Sequence, residues 1–442
     1  MSSTSDIPKP LIEREEYSNN KRLLSNKAIK NNYIWNMIGS FSASFVSVVL
    51  LLLASRLLTS DASDMFSIAF ALGQQFYVLG YFQIRNLQST DVKDRYSFAS
   101  YHNTRLFTVF LMLATAVAYI IWQGYDFYKA SIIFLLVFYR AIDAYSDVFQ
   151  GLFQQRNRSD LAGKIQFYRS CFCMLLFGGT IFVTKSLLLA SFVIGIVNLM
   201  LTIPLDIKYY RNYFCHESLS PRLLKDRRNV SAILKSSFPL FFNGFLLAYI
   251  YNEPKISIDL LLSVGRLPAG MQRDFNILFM PVFVLSLLFL VLRPLTTQLS
   301  IYWNEYKYEK FFKQTNQLFL CMIILGILIV GVGYSIGTEI LGVVYGVNLQ
   351  IYKVPFSILL IAGILNVLVL IIDIIMTIFG KQLYLMVAYL LTFAVSKFIT
   401  LPFIRSQKLM GAANSFLLSM FVFFATSLII YVVAKNQEKR KM

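Results

Sequence analysis

The apolar positions of this chain fall into long, nearly unbroken runs, such as FVSVVLLLLASRLL, PVFVLSLLFLVL and PFSILLIAGILNVLVLIIDIIMTIF. Runs of about 20 apolar residues match the length of a helix that crosses a bilayer. A transmembrane β-barrel would show segments of about 10 residues with alternating polarity instead. Lipid offers no partner to a backbone amide, so the long runs predict helices. Twelve spans are predicted, at 33–57, 63–84, 106–123, 130–154, 165–184, 187–207, 232–252, 272–298, 315–337, 355–379, 384–403 and 413–434. The second is amphipathic, and Asp61 or Ser63 is the expected cap at its start.

The polar stretches divide the chain. The first 32 residues have no early apolar core and no small-residue cleavage site, so they predict a tail rather than a signal peptide. The longest polar loop, 208–231, follows the sixth span. The expected organisation is a tail (1–32), a six-helix lobe (33–207), a basic linker (208–231), a second six-helix lobe (232–434) and a basic C-terminal tail (435–442). The fold class is an all-α polytopic membrane protein, with about 12 transmembrane helices in two six-helix lobes around a central cavity. Six is even, so both lobes enter the membrane in the same orientation, as in parallel-repeat transporters.

Composition strengthens this picture. Of the 442 residues 57% are hydrophobic and only 14% are charged, against about 25% charged in a soluble domain. Mean hydropathy is +0.61, and a soluble chain of this size could not hide that much apolar surface. The net charge of +18 would suggest nucleic acid in a soluble protein. Here its distribution matters more. With both termini in the cytosol, 28 of the 41 Lys and Arg fall on the inside and eight, Lys255 among them, on the outside. That asymmetry follows the positive-inside rule and suits contact with anionic lipid; no nucleic-acid partner is expected.

Enzyme chemistry is not indicated. No G-x-x-x-x-G-K-[ST] or H-E-x-x-H occurs, and no soluble catalytic domain fits between the spans. Asp61 and Asp64 sit in a first outer turn so short that capping is the simpler reading. Four cysteines and two histidines, His102 and His216 in polar loops, suggest neither a disulfide framework nor a metal site.

Charge inside the apolar runs is the candidate chemistry. FYRAIDAYSDVFQG (138–151) places Arg140, Asp143 and Asp147 within an arc of about 60° on a helix. Such a stripe faces protein or water, not lipid. It is either a structural Arg–Asp pair or the wall of a cavity. In the second reading Arg140 attracts an anion, while Asp143 or Asp147 tunes it or carries a coupling proton or sodium ion. Further basic candidates are Arg169, Lys235, Arg293 and Lys397. Asp373 is an acidic candidate, and Asp373 or another acid is the simplest partner for Lys397. Asn36, Ser40, Asn243 and Asn366 are polar candidates within spans, and Arg56 is most simply an interfacial anchor. Arg presents a fork that matches phosphate, so cations in both halves suit a phosphate-bearing ligand.

Several segments carry a family resemblance: YFQIRNLQSTDVKDRYSFASY (81–101), FYRAIDAYSDVFQGLFQQRNRSDLAGK (138–164), LKSSFPLFF (234–242), YNEPKISIDLLL (251–262) and ILFMPVFVLSLLFLVLRPLTTQL (277–299). So do the stretches from KQLYLMVAYLL to LPFIRSQKLMGAANSFLLSM. In order and placement they resemble Wzx-type polysaccharide and O-antigen repeat-unit flippases of the multidrug/oligosaccharidyl-lipid/polysaccharide flippase superfamily. The resemblance implies two six-helix bundles forming a V. It implies a bacterial cytoplasmic-membrane protein that moves an undecaprenyl-diphosphate-linked oligosaccharide to the outer leaflet for surface or capsular polysaccharide synthesis. Pathway polymerase and glycosyltransferases would be its partners. Arg140, Asp143, Asp147 and Arg293 match by segment; the stretch LLLSVGRLPAGMQRD (260–274) departs from the family pattern. Two alternatives remain: a multidrug, cation-coupled extruder of the same superfamily, and an integral-membrane polymerase or glycosyltransferase.

Overall fold

A computed structural model of the chain describes residues 26–91, 93–214, 226–291 and 293–440. Most of the N-terminal tail, the centre of the linker (215–225, with His216) and the last two residues lie outside the described residues, as does the side chain of Arg293. The fold is all-α. The helices are α1 (Asn26–Leu57), α2 (Ser60–Tyr81), α3 (Ile84–Thr90), α4 (Phe98–Gln123), α5 (Phe127–Gln155), α6 (Ser159–Thr184) and α7 (Leu187–Tyr213), followed by α8 (Arg227–Ser263), α9 (Met271–Val291), α10 (Arg293–Asn304), α11 (Tyr308–Val332), α12 (Thr338–Tyr345), α13 (Lys353–Ile378) and α14 (Met386–Lys439).

Eight of these helices are by themselves long and apolar enough to cross a membrane, and the α2–α3 pair, bent by 42°, makes a ninth. One of the eight, α14, crosses twice. Its backbone breaks at Lys408 (φ 53°, ψ −128°). A Cβ on Gly411 would sit 2.0 Å from the Phe403 carbonyl oxygen; eight residues of straight helix would separate those positions by about 12 Å, so the chain doubles back there. The 29-residue α5 and the 21-residue α9 complete about twelve crossings. An even number brings both termini to one end of the bundle, called proximal below; the other end is distal.

Two lobes result. Helices α1, α2 and α4–α7 pack on one another, as do α8, α9, α11, α13 and α14. Helix α8 also lies against α2, α3 and α4 and joins the lobes. The α2–α3 break has a local cause: Phe82 and Gln83 both adopt left-handed backbone (φ 42° and 55°). The Arg105 guanidinium donates to the carbonyls of Gly80 and Tyr81 beside the break, so the polar backbone there is satisfied inside the bundle. Thr59, not Asp61 or Ser63, caps α2, its hydroxyl accepting from the Ala62 amide at 3.4 Å. The α1–α6 contact depends on Gly163, whose Cβ would meet the Trp35 carbonyl oxygen at 2.1 Å.

Candidate functional site: a polar cleft between the lobes

Helix α5 places one polar stripe against α6, α7 and the α3–α4 region. Asp143 lies at its centre. Its carboxylate pairs with Arg140 Nη1 at 3.0 Å and Arg169 Nη1 at 2.8 Å, and accepts from Asn198 Nδ2 at 2.8 Å. Asn198 is itself held by the Tyr139 carbonyl oxygen and Thr202. One turn further along, Asp147 accepts from Arg105 Nη2 at 2.7 Å and Arg85 Nη1 at 3.2 Å. Arg85 also reaches Gln150 and Gln154 at 3.0 and 3.1 Å. Arg105 is fully buried. A buried guanidinium without a carboxylate would carry a heavy desolvation cost, and Asp147 together with two carbonyls offsets it.

This cluster opens into a cavity of about 260 Å³ lined by Asn36, Ser40, Arg85, Arg140, Asp143, Asp147, Gln166 and Arg169. Arg140, Tyr77 and Ala43 are shared with a second cavity of about 550 Å³ between the lobes. Its walls come from α1, α2, α5, α8, α9 and α13 and include the aromatic rings of Phe66, Phe70, Tyr77, Tyr251 and Phe283. Its polar lining includes Asn252, Lys255, Asn276 and Asn366. The larger volume falls within the usual range for small-ligand sites, about 300–1,000 Å³, and the smaller one lies just below it.

The cleft is closed at the distal end. Arg56 donates to the carbonyls of Val343 and Val344, and Ser55 to that of Tyr345. The Asp64 carboxylate accepts from the Gly270 and Arg273 amides. Asp259 on α8 holds Lys129 at 2.7 Å and Tyr125 at 3.1 Å. The contacts of Ser55, Arg56 and Asp64 join the first lobe to the second at this end. At the proximal end the described contacts between lobes run through α8, for example the stacked Phe82–Phe241 rings at 4.0 Å and Asn103 with Asp226.

Solved transporters share this overall fold. An inward-facing conformation of a multidrug resistance MATE family transporter of the MOP superfamily matches with a TM-score of 0.61 at 11% identity, over 89% of this chain and 96% of that one. An outward-facing conformation of such a transporter matches with a TM-score of 0.55 at 12% identity, over 94% and 97%. The fold is that of the MATE transporters. A eukaryotic MATE transporter extends the likeness, with a TM-score of 0.56 at 13% identity over 94% of this chain and 99% of that one. No family model and no curated protein matches the chain. Identities this low establish the MATE fold and leave the cargo open.

Within that fold the predicted residues separate into two groups. Arg140, Arg169, Asp143, Asp147, Asn36, Ser40 and Asn366 line the two cavities. Lys397, Lys235, Asp373 and Asn243 do not. Lys397 binds Tyr249 at 2.8 Å and Glu253 at 3.4 Å with half its side chain exposed, so its acid is Glu253 and not Asp373. Lys235 is exposed near the proximal start of α8. Arg56, expected as a lipid anchor, is instead part of the distal closure. His102 is buried in α4 and bonded to Tyr145 at 3.0 Å, not placed in a loop.

Three cavity-side cations escape sequence reading. Arg85 and Arg105 look like inner-loop charges, yet both turn inward onto Asp147. Lys255 lies past the expected end of the seventh span, but α8 runs on through Pro254 to Ser263 and buries it. Proline within a membrane helix is tolerated when neighbouring helices satisfy the backbone. The weak available signal was the apolar ISIDLLL that follows Lys255.

Proposed function

We propose that this chain moves an undecaprenyl-diphosphate-linked oligosaccharide from the inner to the outer leaflet of the cytoplasmic membrane by alternating access, with its termini in the cytosol. The carrying observation is the charge of the cleft. Arg85, Arg140 and Arg169 line the cleft with Asp143 and Asp147, fully buried Arg105 shares Asp147 behind them, and Lys255 adds a further cation to the lining. A further carboxyl, Asp206 on α7, is buried nearby; counting it, cations still predominate.

Moving a diphosphate through hydrocarbon unaided would cost tens of kcal/mol by Born estimates. A wet, cationic cleft removes most of that barrier. The sugar and diphosphate would occupy the cleft, and the polyprenyl chain would stay in lipid through a gap between the lobes. Direction must come from elsewhere, either from consumption of the product by a polymerase or from a coupled proton or sodium ion. Asp143 and Asp147 are the proposed coupling carboxylates, because a cation delivered to Asp143 weakens its hold on two guanidiniums at once.

The test is flipping of a fluorescent lipid-linked oligosaccharide by proteoliposomes, beside export in cells. Arg140→Ala abolishes export at a normal level of protein in the membrane. Export that persists removes Arg140 from the site. Arg140→Lys asks whether charge alone suffices or the guanidinium fork is needed.

A second reading, export of amphipathic drugs, is favoured by the aromatic walls of the larger cavity and by solved neighbours named as multidrug transporters. An excess of positive charge repels cationic drugs. Efflux of a cationic dye by the reconstituted chain, without glycolipid flipping, would decide for the drug reading.

A further inference from the structure

Lys255 differs from the other cations of the cleft. It is 4% exposed and lines the larger cavity. Its ammonium lies over the rings of Phe279 and Phe283, 4.8 and 5.1 Å from their centroids. Among the described residues no carboxylate pairs with it. The two acids nearest along α8 are engaged elsewhere, Glu253 with Lys397 and Asp259 with Lys129. The cleft arginines, by contrast, are already matched to Asp143 and Asp147. An anion arriving at those arginines competes with built-in carboxylates. At Lys255 it meets a buried amine that contacts two aromatic faces and, among the described residues, no carboxylate; cation–π contact replaces a counter-ion incompletely, and an arriving anion favours the ammonium form.

Position adds a second argument. Lys255 is eight residues from the distal end of α8, about 12 Å along its axis, whereas Arg140 is 13 residues from the distal end of α5, about 20 Å. Lys255 is therefore deeper in the cleft, toward the closed end. Asn252, Asn276 and Asn366 line the same cavity, and Asn366 Oδ1 has no donor among the described residues. A cation and an unmatched amide acceptor on the wall of one cavity suit a phosphate carrying a hydroxylated group.

We propose that Lys255 is a separate anion site in the second lobe, which takes the phosphate of the cargo at the closed end of the cleft. The proposal rests on the lipid-linked cargo reading and adds to it a position, a residue and an order: the phosphate passes the arginine cluster and comes to rest at Lys255.

The experiment uses the purified full-length protein in detergent, with geranylgeranyl diphosphate as probe, geranylgeraniol as its uncharged counterpart and inorganic pyrophosphate as the headgroup alone. Binding is read by calorimetry and thermal stability by scanning fluorimetry. Lys255→Met should weaken geranylgeranyl diphosphate binding about ten- to a hundredfold, the loss expected for one charged contact, while geranylgeraniol binding stays unchanged. Lys255→Arg should stay within about threefold of wild type. Without ligand, Lys255→Met should raise the melting temperature by a few degrees, because it removes an unpaired buried charge; a lower melting temperature counts against the proposal. Lys255→Gln is run beside it, so the comparison does not rest on one variant. Pyrophosphate competing with the prenyl diphosphate in wild type and not in Lys255→Met assigns the site to the headgroup. Unchanged diphosphate affinity in both Lys255→Met and Lys255→Gln overturns the proposal and leaves the cargo reading standing. A wild-type protein that binds the alcohol as tightly as the diphosphate overturns both.

Discussion

The two lobes hold their cleft charges in opposite ways. In the first lobe every cleft guanidinium meets a carboxylate: Arg140 and Arg169 at Asp143, Arg85 and Arg105 at Asp147. In the second lobe Lys255 stands over two aromatic rings with no described acid. The contrast separates two uses of buried charge. A matched cluster sets geometry and stability, because breaking a buried pair costs far more than the intact pair contributes. An unmatched charge weakens the resting protein and is made good by a ligand. Counting cations shows that the cleft favours an anion, and counting their partners shows where an anion meets least competition.

Substitutions can break that comparison at several strengths. Asp147→Ala should do the most damage. It strands fully buried Arg105 with only backbone acceptors and should cost about 3–5 kcal/mol, seen as a lower unfolding midpoint in detergent; a loss under about 1 kcal/mol would mean that the pair is not structural. Asp143→Ala should cost less, about 2–3 kcal/mol. Arg140 and Arg169 both line the smaller cavity and recover solvation there, and Asn198 keeps the Tyr139 carbonyl. Opposite shifts in melting temperature for Asp147→Ala and Lys255→Met would be the sharpest form of the contrast.

Packing under the cluster is the next test. The Cβ of Gly80 would lie 2.6 Å from Met112 Sδ and 2.9 Å from the Ala144 methyl. Gly80→Val should then cost about 1–3 kcal/mol by overpacking, measured by the same unfolding midpoint. At the distal latch, Arg56→Ala removes two hydrogen bonds between lobes and should shift the conformational balance toward distal opening by about 1 kcal/mol. Faster thiol labelling of a cysteine placed at Tyr345 reports that shift. Lys307 and Glu305 form an exposed pair away from both cavities, so Lys307→Ala should leave flipping and melting temperature unchanged.

The physics of the membrane explains how much could be read in advance. A bilayer requires long apolar helices, so their approximate number and the even crossing count are printed in one dimension. The stripe on α5 was equally readable, because helical periodicity puts Arg140, Asp143 and Asp147 on one side whatever surrounds them. The local pair of Arg140 with Asp143, three residues on, was readable too; partners distant in sequence were not. Lys397 found Glu253 instead of Asp373 because α14 packs on α8 along its length. Arg85 and Arg105 could be assigned inward only once the α2–α3 break had left carbonyls for Arg105 to cap.

Hydrophobic length and helical period, both local properties, thus settled the fold class, the two bundles and the charged face of α5 from sequence alone. Which charges meet, which end of the cleft is latched and which cation lacks an acid were decided by tertiary packing. Those depend on residues tens to hundreds of positions apart, and no local pattern encodes their distance.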